Sequence, residues 1–151
     1  MIVDAHTHTL CPQVNAALGG PPDRALVPYQ RDMSDESRQV DAGQGAELGR
    51  KFNDPATRDA AMAEMGVDMQ VIAPAPGQQH YWAAPKVLAE ISRLQNDHVA
   101  GHVARNRARF AGLGTLPLTA PDRAVDEASR AVEELGLAGF QIDSRAGEME
   151  L

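Results

Sequence analysis

An α/β fold built on a parallel sheet is what this sequence predicts, and three observations predict it. Short β-like runs alternate with helical segments along the chain. Two helix ends feed the following strand in the same manner, Glu64-Met-Gly-Val67 and Glu134-Leu-Gly-Leu137, which reads as a repeated βα unit. Prolines and glycines fall where helices should start and stop.

The elements follow in order. The first strand is Ile2 to His6, almost at the terminus. Leu10 to Asn53 fits the rhythm poorly; rich in Gly, Pro, Asp and Gln, it reads as an insertion, or in parts a surface loop, between that strand and its helix. Asp54 before Pro55 caps the next helix, and Gly66 ends it. The second strand, Met69 to Ala73, is closed by Pro74 and Pro76, which cannot continue a central strand. A helix of about Ala84 to Asn106 then buries Leu88, Ile91, Gln95 and Val99 on one side. The third strand is Phe110 to Leu116. Thr119-Ala-Pro-Asp122 has capping-box spacing, and Val125, Ala128, Val132 and Leu135 form an apolar stripe that Gly136 terminates. The fourth strand is Gly139 to Asp143.

Composition excludes several functions. The formal net charge is −7 and the fourteen Lys and Arg residues are scattered, which argues against nucleic acid and anionic membrane as partners. No run approaches the roughly 20 apolar residues of a membrane span. The single cysteine, Cys11, rules out an internal disulfide framework, and with no signal-peptide pattern at the start it fits a reducing cytoplasm.

The chemistry-bearing piece is Ala5-His-Thr-His8. Residues i and i+2 of a strand share a face, so His6 and His8 project together and offer half of a metal site. Asp4 has the same parity and is a candidate to orient one ring. An HxH pair alone is a weak signal. Its context strengthens it, for Val3-Asp-Ala-His-Thr-His8 resembles the first strand of amidohydrolases of the aminocarboxymuconate-semialdehyde decarboxylase group. The likeness continues through Gly66 to Pro74, Tyr81-Trp-Ala83, Leu94-Gln-Asn-Asp97, Arg109 to Leu118, and Glu134 to Ile142.

That resemblance implies a metal-dependent hydrolase-type TIM (β/α) barrel, of which this chain carries the first four βα units as a partial barrel. It implies one divalent metal ion, zinc by the ligand type, held by His6 and His8 with a later histidine and aspartate. The catalytic histidine of that group follows a sixth strand, so no catalytic residue is expected within residues 1–151. The segment at about 10–53 becomes a rim insertion, where barrel enzymes bind ligands. His80 and Trp82, after the second strand, and Asp143 and Arg145, after the fourth, are the candidate substrate contacts. Arg145 suits a carboxylate. Here the sequence departs from its group, reading Asp143-Ser-Arg-Ala-Gly-Glu148 where better-known decarboxylases have Gly-Thr-His-Val-Asn, which opens the question of substrate identity.

Three blander assignments stand beside these. His98 and His102, four apart on the middle helix, are expected to be hydrogen-bonded rather than ligating. Cys11 is expected as a small buried residue, and Gly112 and Gly114 as strand glycines. The resulting expectation is non-oxidative decarboxylation of an unsaturated or aromatic carboxylic acid by a homo-oligomer. The alternatives are hydrolysis of an amide, ester or lactone, and a non-catalytic remnant that binds another chain.

Overall fold

Four strands pair in sequence order, β1 (Val3–Thr9), β2 (Met69–Pro74), β3 (Phe110–Gly114) and β4 (Gly139–Phe140), and each adjacent pair is parallel. The computed structural model describes residues 1–147 and 149–150, with Pro28, Tyr29, Ala46, Met149 and Glu150 described through their backbone alone. Glu148, at the end of the segment singled out above, and Leu151 lie outside the described residues.

Helices make the crossovers, as parallel pairing requires. The first is α4 (Pro55–Met65), where Asp54 accepts from the Thr57 N–H at 2.8 Å and Gly66 takes the left-handed φ of 67°. Next come α5 (Pro85–Arg105) and α6 (Pro121–Glu133), with Gly136 at φ 69° beyond the latter. The core lies between sheet and helices, with Met62, Ile72, Val99, Val103, Phe110, Ala131 and Leu137 all buried. On α5, Leu88, Ile91, Gln95 and Val99 are buried as the helical period requires. The glycines of β3 let this helix approach: a Cβ on Gly112 would meet Leu137 and Val99 at 2.8 Å, and one on Gly114 would meet Asn96 Oδ1 at 2.7 Å.

Several expected boundaries move, each for a local reason. Strand β1 runs on to Thr9, because Thr9 O accepts from Ala75 N at 3.0 Å. Strand β3 stops at Gly114 rather than Leu116, since the Asn96 side chain takes both the N–H and the carbonyl of Thr115. With that ladder ended, β4 stops at Phe140 rather than Asp143. The capping box at Thr119 does not form; Ala120 is the N-cap and Thr119 Oγ1 is buried without a partner. Nor does the Val125–Val132 stripe face inward. Val125 is 67% and Val132 48% exposed, whereas Ala124, Glu127 and Ala131 are buried. A buried ion-pair network around Glu127 sets that face, outweighing the apolar pattern.

The segment between β1 and α4 is largely helical: α1 (Val14–Ala17), a 3-10 turn (Arg24–Leu26), α2 (Pro28–Arg31) and α3 (Asp35–Asn53). Helix α3 starts on Ser34, whose Oγ accepts from Ser37 N at 3.2 Å. Its glycines and its few apolar residues hide this helix from a periodicity search. Beyond β4 lies a short antiparallel pair, β5 (Arg145–Ala146) and β6 (Met149–Glu150).

Candidate metal and substrate site

The pair of histidines sits where β1 changes register. Asp4 pairs with Gln70 and Thr7 with Ile72, so one residue too many lies between them on β1. Such an irregularity re-aims side chains. His6 and His8 converge, with Nε2 atoms 2.9 Å apart and rings edge to face at 4.7 Å. Two nitrogens bound to one ion at about 2.1 Å lie about 3.0–3.4 Å apart for angles from about 90° to 109°, so the pair sits close to the spacing that one metal requires. His8 Nδ1 is buried with no partner. Burial, and then the neighbouring His6, push the His8 imidazole below the usual histidine range, which favours the neutral form that binds metal. Among the described residues no cluster of three or more His, Cys, Asp or Glu is placed to hold a metal ion.

Asp4 does not orient a ring. The register shift breaks its shared parity with the histidines; its carboxylate accepts instead from His6 N at 3.4 Å and from Gln70 Nε2 at 3.2 Å.

The four substrate candidates come together. His80, Trp82, Asp143 and Arg145 line one cavity of about 910 Å³ with Leu26, Leu48 and Phe52, residues of the segment between β1 and α4. His6 and His8 open on a separate space of about 270 Å³ beside Arg58 and Gln70, and Phe52 lines both. His80 alone among the described non-glycine residues has a positive φ, 40°, a strained conformation of the kind that collects at functional sites. It is buried against the Trp82 ring, centroids 5.4 Å apart, and that burial lowers its pKa. Trp82 both lines the cavity and packs on the core cluster of Tyr81, Ala83, Leu88 and Ala146. Gln79, 2% exposed, donates to both Asp143 carboxylate oxygens at 2.9 and 3.0 Å with its amide nitrogen turned toward them. Partial burial raises the Asp143 pKa. Arg145 donates from Nε to Gly147 O at 3.1 Å.

The bland assignments hold. His98 and His102 both direct Nε2 at Thr9 Oγ1, at 3.0 and 3.1 Å. Cys11 is buried beside Val14 and Ile91. Sequence reasoning missed Arg58, which is 5% exposed and reaches His8 O at 2.6 Å, Phe52 O at 2.7 Å and Gln70 Oε1 at 3.0 Å. A signal was present. Arg58 precedes the core residue Met62 by four, so a cation stands in the inward row of α4.

Comparison with known proteins gives the family of the chain. The amidohydrolase family profile matches residues 3–151, and the chain belongs to that family. The 2-amino-3-carboxymuconate-6-semialdehyde decarboxylase of Dictyostelium discoideum is 37% identical over 98 residues, 65% of this chain and 27% of that protein. The gamma-resorcylate decarboxylase of Rhodococcus jostii is 44% identical over 54 residues, 36% of this chain and 16% of that protein. The solved 5-carboxyvanillate decarboxylase of Sphingomonas paucimobilis superposes with a TM-score of 0.75 at 28% identity, covering 98% of this chain and 44% of that one. A dihydroxybenzoic acid decarboxylase of Polaromonas, solved with bound manganese and an inhibitor, matches with a TM-score of 0.68 at 22% identity, covering 94% of this chain and 38% of that one. The chain thus spans less than half the length of these relatives and carries part of their barrel.

Proposed function

We propose that the chain is the part of a non-oxidative decarboxylase that supplies two ligands of one divalent metal and much of the substrate rim. The observation that carries this is the convergence of His6 and His8 Nε2 at 2.9 Å, beside a sheet whose relatives include several decarboxylases. The chain is read as one partial barrel, with residues 10–53 as its rim insertion. The substrate class is an aromatic or unsaturated carboxylic acid.

His6 and His8 would hold the divalent ion, which would supply Lewis acidity toward an oxygen of the bound acid. Zinc suits two imidazoles, and the manganese of the Polaromonas structure makes that ion the competing candidate. The chain's own residues do the rest. Arg145 presents a planar fork that matches a carboxylate. Leu26, Leu48, Phe52 and Trp82 offer the ring an apolar wall and exclude water. As the carbon–carbon bond breaks, the electron pair stays on the ring carbon and takes up a proton, while carbon dioxide leaves. His80 and Asp143, both shifted toward their neutral forms by burial, border that space.

Among the described residues no helix is long and apolar enough to cross a membrane. A cytoplasmic setting is part of the proposal. So is self-association, because Ile2 and Val3 are 59% and 42% exposed around the outer edge of β1.

The test incubates the metal-loaded protein, as its gene encodes it, with aromatic and unsaturated acids and separately with amides, esters and lactones. Carbon dioxide release that disappears in His6→Ala is expected. Hydrolysis without decarboxylation would overturn the proposal in favour of a hydrolase.

A further inference from the structure

Arg58 is a buried cation that no carboxylate of the described residues holds in an ion pair. Burying a charge is costly unless its partners are well placed. Those partners are informative. Thr9 O accepts from Ala75 N on the β2 side, and carbonyls alternate along a strand, so the His8 carbonyl points to the opposite, open edge. There Arg58 Nη2 meets it at 2.6 Å and also meets Phe52 O at 2.7 Å. Arg58 Nη1 donates to Gln70 Oε1 at 3.0 Å, Gln70 Nε2 donates to Asp4 Oδ2 at 3.2 Å, and Asp4 Oδ1 accepts from His6 N at 3.4 Å. One side-chain chain therefore begins on the backbone of His6 and ends on the backbone of His8. It spans the residues where β1 slips register against β2.

The geometry points to Asp4, Gln70 and Arg58 as a positioning network that locks the β1 irregularity so that both imidazoles aim at one point. This inference rests on the metal reading of His6 and His8 and adds to it residues that touch neither metal nor substrate. The backbone is held at both ends of the His6–His8 segment, and among the described residues Gln70 joins Arg58 to Asp4 by hydrogen bonds, while Thr7 Oγ1 donates to Val71 O at 2.9 Å between them. An irregular strand without such a tie relaxes, and the two Nε2 atoms part. Because the guanidinium serves three acceptors in fixed directions, lysine cannot replace it.

The test uses Gln70→Met, which keeps the side-chain length and removes both hydrogen bonds, and Asp4→Asn, which removes one acceptor. Two readouts are followed by NMR on the histidine ring nitrogens of the chain: the Nε2–Nε2 hydrogen bond without metal, and the zinc affinity on titration. Both variants are expected to lose the shared-proton signal and to bind zinc about ten- to a hundredfold more weakly. Arg130→Lys, which perturbs a separate buried ion-pair network, serves as the control that lowers stability without changing either readout. If Gln70→Met does not fold, Asp4→Asn carries the same two readouts. Unchanged zinc affinity and an intact shared proton in a folded variant overturn the network. Zinc binding that survives His6→Ala instead overturns the metal reading beneath it.

Discussion

Replacing Asn96 by leucine is expected to lower stability by about 3–5 kcal/mol, a large share of the 5–15 kcal/mol by which a domain is usually stable. Asn96 is fully buried and makes three hydrogen bonds: it donates to Thr115 O at 3.0 Å and Glu127 Oε1 at 2.7 Å, and accepts from Thr115 N at 2.7 Å. Leucine leaves all three partners in the interior, one of them a carboxylate 3% exposed on its side chain. Arg130, at 2.7 Å, and Arg93, at 3.2 Å, still hold Glu127, so the charge is not orphaned, but the tie from α5 to Thr115, just past β3, is gone. A urea midpoint measured at neutral pH checks this. A loss below about 1 kcal/mol would mean that the three partners find water or one another.

The second large effect is on pH. Burial, and then the charges of His98, Arg105 and Arg58, depress the His102 imidazole from 6.5 to about 4. The folded state therefore binds its proton later than the unfolded chain does. Above pH 6.5 neither state is protonated and His102 exacts no penalty. As pH falls from 6.5 toward 4, the unfolded chain takes up a proton that the folded one refuses, and stability falls by about 3 kcal/mol, an order-of-magnitude figure. Burial lowers the His98 pKa too, which adds in the same direction. The groups facing this pair on neighbouring elements are Thr9 on β1, whose hydroxyl also donates to Asn53 on α3, and Arg58 on α4. Unfolding midpoints at pH 7 and 5, measured on wild type and His102→Gln, give the check. The expected result is a steep loss in the wild type and a shallower one in the variant; equal slopes would show that His102 stays accessible to protons.

The fold was legible where single elements carry strong local rules. Asp54, Pro55 and Gly66 bracket α4, Gly136 follows α6, and the inward row of α5 holds its helical period throughout. What escaped is what depends on distant partners. The polar face of α6 is buried because Glu127 answers Asn96 and Arg93 on α5 as well as Arg130 one turn along, and a search for apolar periodicity registers none of the three. Helix α3 carries three glycines and little apolar period, so neither propensity nor periodicity announces it. At the site, an HxH on a strand announces its chemistry locally. Arg58 and Gln70 announce theirs only through the backbone groups they meet, and parity misplaced Asp4 because a register slip is not written in the alternation. His80, Trp82, Asp143 and Arg145 share a cavity because the ends of β2 and β4 lie on the same side of a parallel sheet, which strand order alone implies.

The central claim is that His6 and His8 hold a divalent metal, and metal content tests it most directly. Zinc and manganese should be measured on the protein as its gene encodes it, after desalting, in wild type and in the His6→Ala, His8→Ala double variant. The account predicts one divalent ion per chain in the wild type and less than about a tenth of that in the variant. Equal metal content in the two folded proteins would contradict it.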